Sequence, residues 1–437
     1  MRDRTVHIQT FGCQMNLADS EDVRGRLAAL GYHAVDDPEQ ADLVLYNTCS
    51  VRDHAEARVR GRLDYWKTHR RPGQRIGVLG CMAERLADEL TRACPHLALV
   101  IGGDQYHRLG EAIARLEHEH QVVCTGFDDA MAAGRMAHRS AGINAWIPVM
   151  RGCDNHCTYC IVPSVRGPER SRDPAAIEAE ARAAVAAGHP QITLPGQTVD
   201  AYGRTCSPPT TLAALLRRLH DIPGLRRLRF VTSHPKDITD ELLQTVAELP
   251  RVARHLHIPA QSGSSRILRR MGRRYTREGY LELVERARRI VPEVELLSDF
   301  IVGFPGETDE DHAATRSLME QVGFDGAFVF MYSPRPKTAA ARMPDDVPHA
   351  LKRERCNELI DLQLAQQETR HHALIGSVQE ILVEGPSKND PQRLQGRTAG
   401  NRMAMYPHPG HDRHIGELVR VRIDRATNLT LFGEPVA

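Results

Sequence analysis

The sequence predicts an α/β protein in three parts: an N-terminal parallel-sheet domain, a central barrel of β/α units, and a small all-β C-terminal module. Two runs of alternating strand and helix patterns and one change of character carry this expectation. Residues 1–120 alternate short apolar strands with amphipathic stretches, the pattern of a parallel sheet covered by helices. A second alternation of six units begins at Ala145 and suits a barrel, complete or partial. From about residue 372 the helical patterns stop, and β-like segments separated by polar turns follow.

In the first part the expected strands are Thr5–Thr10, Leu43–Tyr46, Arg75–Leu79 and Leu99–Ile101, with helices over Asp19–Leu30, Val51–Arg70 and Glu84–Arg92. This domain is assigned to 3–120. Residues 121–142 hold a stretch with little strand or core pattern and read as a linker. The second part, 143–371, offers strands at Ala145–Met150, Gln191–Leu194, Leu228–Val231, His255–Ile258, Glu295–Val302 and Ala327–Tyr332. Helices are expected at Pro174–Ala187, Leu212–Leu219, Asp240–Leu249, Tyr280–Ile290, Asp309–Gln321 and His349–Gln367. In 372–437, Val378–Val383, Arg402–Tyr406 and Gly416–Ile423 read as strands.

The chain has 437 residues, 41% of them hydrophobic and 26% charged, the balance of a soluble globular protein. Mean hydropathy is −0.41. No apolar run approaches the ~20 residues of a membrane helix, and the N-terminus lacks a secretory h-region, so a cytoplasmic protein with no membrane partner is expected. Ten cysteines are too dilute for a disulfide scaffold and read as metal ligands, nucleophiles or buried fillers. Net charge is +1, so the overall field says nothing of a nucleic-acid partner. Residues 266–289 are different: nine arginines against Glu278, Glu282 and Glu285 give net +6, and such a cluster can track phosphates or form a solvated helix face.

Cys153, Cys157 and Cys160 form C-x3-C-x2-C directly after the first expected barrel strand. Three thiolates on one loop can hold three irons of a [4Fe–4S] cube and leave the fourth open to a small molecule. Zinc is the alternative, but it usually takes four ligands, and His156 lies too close in sequence to supply the fourth easily. Cys13, Cys49 and Cys81 share no short motif. Each follows the C-terminal end of a successive expected parallel strand, and those ends form one edge, where ligand sites sit. Three thiols there converge on a second metal centre or are unrelated buried cysteines. Cys94, Cys124, Cys206 and Cys356 match no ligand pattern and read as small buried hydrophobes.

The residues around these cysteines resemble one family. Phe11-Gly-Cys-Gln-Met-Asn16, Asp19-Ser-Glu21, Asn47-Thr-Cys-Ser-Val-Arg52 and Gly80-Cys-Met-Ala83 are similar to the methylthiotransferases of the radical SAM superfamily. So are Met150 to Pro163, Arg166-Gly167, Ser171-Arg172, Thr232-Ser-His-Pro235, Gln261-Ser-Gly-Ser264, Asp299 to Thr308 and Tyr332-Ser-Pro-Arg-Pro336. One departure is Gly196-Gln-Thr-Val199, where the family often has Asn in place of Thr198. The motifs at Cys13 and Cys49 most resemble the branch acting on isopentenyladenosine in tRNA.

The resemblance implies a partial (β/α)6 radical SAM barrel and a C-terminal TRAM-like barrel, the latter suggested by Leu394 to Thr398 and Asn401-Arg402. It implies two [4Fe–4S] clusters, one on Cys13, Cys49 and Cys81 and one on Cys153, Cys157 and Cys160, and S-adenosyl-L-methionine (SAM) on the second. Tyr159, Asp299, Gly303 and Glu307 would contact SAM. The activity implied is methylthiolation of adenine C2 of N6-isopentenyladenosine beside the anticodon, which needs an electron donor and a sulfur source. A monomer is the expected state. The alternatives are a methylthiotransferase for a ribosomal-protein aspartate, or a non-catalytic iron–sulfur or zinc RNA-binding protein.

Overall fold

The computed structural model describes residues 4–50, 53–128, 134–408, 410 and 412–436. Asp3, Ala437, the start of the expected helix and motif at Val51 and Arg52, and residues 129–133 of the expected linker lie outside the described residues. The chain divides into two compact units. The first comprises Met1–Ala141 with Met150–Asn155 and Cys160–Arg172; the second comprises Gly142–Val149, His156–Tyr159 and Asp173–Ala437.

The first unit is built on a six-stranded parallel sheet: β1 (Arg4–Phe11), β2 (Tyr32–Ala34), β3 (Leu43–Thr48), β4 (Arg75–Gly80), β5 (Leu97–Ile101) and β6 (Val122–Cys124), in the order β2-β1-β3-β4-β5-β6. Between strands run α1 (Gln14–Ala29), α2 (Asp53–His69), α3 (Cys81–Ala93) and α4 (Leu109–Arg115). β3 reads as an unbroken apolar run because it is buried on both faces. Leu43 and Leu45 enter one core with Leu27 and Leu109; Val44 and Tyr46 enter the other with Leu63 and Trp66. β2 and β6 have three residues each, too few to show a period of two. β6 carries the sheet into the stretch expected to be linker.

Two further pieces belong to this unit. β8 (Met150–Arg151) pairs antiparallel with β9 (Arg170–Ser171), and α5 (Val162–Arg166) packs on α3. The expected strand Ala145–Met150 is thus divided into β7 (Asn144–Trp146) and β8. Pro148 has no N–H and interrupts the ladder, although Ile147 and Val149 still donate to Thr193 and Pro195 carbonyls.

The second unit holds β7, β10 (Gln191–Pro195) and β11 (Arg227–Val231) in one parallel sheet, and β12 (His255–His257), β13 (Glu295–Val302) and β14 (Gly326–Met331) in another. The six strands follow chain order, as an open barrel of β/α units does. The helices are α6 (Pro174–Ala186), α7 (Leu212–His220), α8 (Asp240–Glu248), α9 (Ser265–Arg270), α10 (Arg277–Ile290), α11 (Asp309–Val322) and α12 (His349–His372). From α6 to α11 each starts at an Asp, Thr or Ser whose side chain accepts an N–H of the first turn. None of the described helices is long and apolar enough to cross a membrane.

Five strands close the C-terminal barrel in the order β15-β16-β17-β19-β18: β15 (Val378–Pro386), β16 (Arg393–Thr398), β17 (Met403–Pro407), β18 (Leu418–Ala426) and β19 (Thr430–Pro435). The sequence pattern missed β16 and β19. Arg229 donates to Asn401 Oδ1 (2.6 Å) and Arg402 to Asp325 Oδ1 (2.6 Å), which fasten this barrel to the half-barrel strands.

Asp311 joins two helix starts. Its Oδ1 accepts from Ser264 Oγ (2.6 Å) and its Oδ2 from Thr308 N (2.9 Å), with Arg266 alongside. Burial would raise its pKa, but the bonds from Arg266, Ser264 and Thr308 outweigh that and bring it to about 2. A depressed pKa lends stability that is complete above the ordinary value and is lost as pH falls through the folded one. Asp311→Asn should therefore be less stable than wild type at neutral pH and show a flatter loss of stability between about pH 4 and 2 in denaturant titrations. Matching slopes in that window would contradict this.

Candidate iron–sulfur centre

The first unit brings Cys13, Cys49 and Cys81 together. Cys13 is the N-cap of α1, Cys49 follows β3, and Cys81 opens α3 after β4. The Cys49 side chain interacts with both other thiols. That contact and the Arg166 charge offset burial and lower Cys13 to about 6 and Cys81 to about 7, while Cys49, their shared partner, is pushed up. Two of the thiols sit where helix N-termini favour negative charge.

Two glycines make room for this contact. A Cβ at Gly12 would meet Asn16 Oδ1 at 2.4 Å and Cys49 Cβ at 2.9 Å. Gly80 has φ +87°, and a Cβ there would meet Asn47 Oδ1 at 2.5 Å. Each Gly-Cys pair thus puts its thiol at the sheet edge with no side chain ahead of it. Asn16 and Asn47, both fully buried, brace the strand ends. Asn16 Oδ1 accepts from Cys13 Sγ (3.3 Å), and Asn47 Nδ2 donates to Asn16 O and Ser20 Oγ (both 2.9 Å).

Arg166 Nε donates to Cys81 Sγ at 3.1 Å, and its Nη1 to Asp19 Oδ2 at 2.7 Å; Arg151 binds the other Asp19 oxygen. Asp19 is completely buried. Burial alone would raise its pKa, but the two guanidinium groups hold the carboxyl below its ordinary value. The sequence motifs contain Asp19, Arg151 and Arg166 but gave no sign that they meet.

The residues of the second cysteine loop are divided between the two units. Cys153 is buried in the first, its N–H bonded to Gly167 O (3.2 Å). Cys160 is half-buried there, and Cys157 half-buried in the second. Thr158 bonds through its N–H to Met271 O (2.9 Å) and its hydroxyl to Arg270 O (3.0 Å). Arg273 Nη1 donates to Cys157 Sγ (3.4 Å) and its Nη2 to Pro259 O (3.2 Å). This corrects the expectation for 266–289: Arg273 serves the cysteine loop, while Arg266, Arg270, Arg277, Arg286 and Arg288 also bind groups of the protein. Arg269, Arg274 and Arg289 stay exposed.

Tyr159 packs edge-on against Phe304, ring centroids 6.5 Å apart. Asp299 lies on β13, its Oδ2 2.9 Å from His257 Nε2. Gly303 has φ +67° and donates its N–H to Glu307 Oε1 (2.8 Å), which also accepts from Arg355 (2.8 Å). Burial raises Glu307 against those two bonds. Thr198 is buried at the end of β10. Cys94 and Cys124 are buried as expected, whereas Cys206 and Cys356 are only half-buried.

Among the described residues no group of three or more His, Cys, Asp or Glu is arranged to hold a single metal ion. Three thiols that meet at one place suit a cube, in which each thiolate binds its own iron. Three family profiles match the chain: the Uncharacterized protein family UPF0004 over 5–102, the Radical SAM superfamily over 147–319 and the TRAM domain over 372–436. A tRNA-2-methylthio-N(6)-dimethylallyladenosine synthase of Thermoanaerobacter pseudethanolicus is 41% identical over 98% of this chain and 92% of its own length. One of Moorella thermoacetica is 42% identical over 99% of this chain and 98% of its own length.

The chain belongs to the tRNA-2-methylthio-N(6)-dimethylallyladenosine synthase family.

The fold has solved relatives too. The radical S-adenosylmethionine methyltransferase TsrM from Kitasatospora setae superposes with TM-score 0.59 at 15% identity, over 77% of each chain. Asp19, Arg151 and Arg166 form a buried ion-pair group that reaches the Cys81 thiol. Asp19→Ala should cost about 3–5 kcal/mol in denaturant titrations, because it strands two buried guanidinium groups. Adding Arg151→Met and Arg166→Met should recover most of that. Wild-type stability in Asp19→Ala alone would contradict the assignment.

Proposed function

We propose that this chain is a radical SAM enzyme that methylthiolates adenine C2 of N6-dimethylallyladenosine beside the anticodon of tRNA. The observation that carries the reading is the contact of three thiols from the ends of β1, β3 and β4, neighbours in the sheet, in a chain that also bears C-x3-C-x2-C. Full-length relatives that carry a tRNA-modifying name favour this reading over a ribosomal-protein substrate or a non-catalytic binder.

Cys13, Cys49 and Cys81 would hold one [4Fe–4S] cluster, and Cys153, Cys157 and Cys160 the other, which leaves an iron for the amino and carboxylate groups of SAM. When bound, these groups supply one-electron cleavage of the sulfonium and a sulfur for transfer, chemistry that an inert aromatic C–H requires. The protein's part is binding and orientation. Arg166 and Arg273 place positive charge against one thiol of each trio. Tyr159 offers an apolar ring to the SAM adenine, and Asp299 a carboxylate on the inner face of β13. Glu307 holds the turn at Gly303, where backbone can approach the nucleoside.

The C-terminal barrel, with exposed Arg269, Arg274 and Arg289, is the proposed grip on tRNA phosphates. A cytoplasmic monomer that draws on separate electron and sulfur donors completes the proposal, with domains at 3–120, 143–371 and 372–437. Anaerobically reconstituted enzyme, given SAM and a reductant, should methylthiolate tRNA that carries dimethylallyladenosine and leave unprenylated tRNA nearly untouched, read by nucleoside mass spectrometry. Equal turnover on both would overturn the reading.

A further inference from the structure

The inner face of the half-barrel carries two exposed aromatic rings. Along β13, Leu296, Ser298, Phe300 and Val302 are buried, while Leu297, Asp299 and Ile301 are only half-covered. Phe300 packs against Phe324, which closes α11, and Ser298 bonds the Ile258 carbonyl, so the buried set faces the helices. The alternate set therefore faces inward. Parallel pairing places Phe328 opposite Asp299 and Phe330 opposite Ile301, on that same inward face. α12 packs against β14, where the Cys356 thiol lies against the Val329 carbonyl.

Phe328 is 53% exposed and Phe330 38%, and neither belongs to a described hydrophobic core. Large apolar rings partly exposed on a concave inner face mark a place for an apolar ligand group. Their acidic neighbour in register, Asp299, lies 2.9 Å from His257 Nε2. Apart from Asp299 this part of the wall is apolar, along Leu297, Ile301, Phe328 and Phe330. It is continuous through Ile301 with the Tyr159 and Phe304 cluster, the side expected to receive SAM.

We propose that Phe328 and Phe330, with Leu297 beside them, receive the dimethylallyl group on N6 of the substrate adenine and thereby set the preference for prenylated tRNA. This rests on the function proposed above. A branched alkenyl group has no polar atoms and gains about fourfold in affinity for each methylene-sized unit buried. The same base without it leaves the wall wet and gains nothing there. The two rings are thus specificity-determining residues, and the discrimination they provide is of the modest size that apolar pockets allow.

The test compares kcat/KM of the full-length holoenzyme on prenylated and unprenylated tRNA, with 5′-deoxyadenosine formation from SAM alone as the measure of an intact barrel. Phe328→Ala with Phe330→Ala should lose at least about tenfold on prenylated tRNA and change less than about threefold on unprenylated tRNA. Phe328→Leu with Phe330→Leu should retain most of the preference. Should the alanine pair fail to fold, Phe328→Trp decides: it keeps an apolar face but shortens the slot, and should raise KM for prenylated tRNA selectively. A wild-type enzyme without preference overturns the underlying function. A wild-type preference that survives unchanged in the folded variant overturns the assignment of these rings.

Discussion

The buried carboxylate of Asp19 organises the first unit. It sits at zero exposure between Arg151 and Arg166, and Arg166 reaches on to the Cys81 thiol. Burying three charges is costly unless each is paired with good geometry. Here both carboxylate oxygens are taken, and one guanidinium is shared with a sulfur. The pairing joins α1 to the segments around residues 151 and 166, which flank the second cysteine loop. Those segments accordingly pack with the sheet and not with the barrel that follows them in sequence.

The thiol trio depends on that arrangement and on the parallel sheet. Parallel strands place all their C-terminal ends on one edge, so the loops after the neighbouring strands β1, β3 and β4 arrive at one place. Gly12 and Gly80 keep that place open, and Asn16 and Asn47 fix the loops through buried hydrogen bonds. With two thiols at helix starts and a guanidinium nearby, the edge favours thiolate, the form that binds metal.

The strand ends that carry Cys13, Cys49 and Cys81 were legible from apolar runs, but the runs left open whether the thiols meet, and the family resemblance supplied that expectation. β13 was readable to the residue, since an eight-residue run at the strand's own length leaves little freedom at its ends. Short edge strands such as β2 and β6 were not, because three residues carry no period. The division of the first barrel strand turns on Pro148 and on a partner strand twenty residues away. The Asp19 pairs span 132 and 147 residues, and no local pattern records such a contact. Arg273 looked like one of nine equivalent surface charges, and only its position after the turn at Gly272 brings it onto Cys157.

The central claim is that two thiol trios on one chain hold two clusters with separate duties. It is tested most directly by the iron content and products of a Cys13→Ala, Cys49→Ala, Cys81→Ala variant after anaerobic reconstitution. Expected is about half the wild-type iron, as loss of one of two cubes requires. That variant should still cleave SAM to 5′-deoxyadenosine and form no methylthiolated tRNA. Full iron content, or a methylthio product, would contradict the claim.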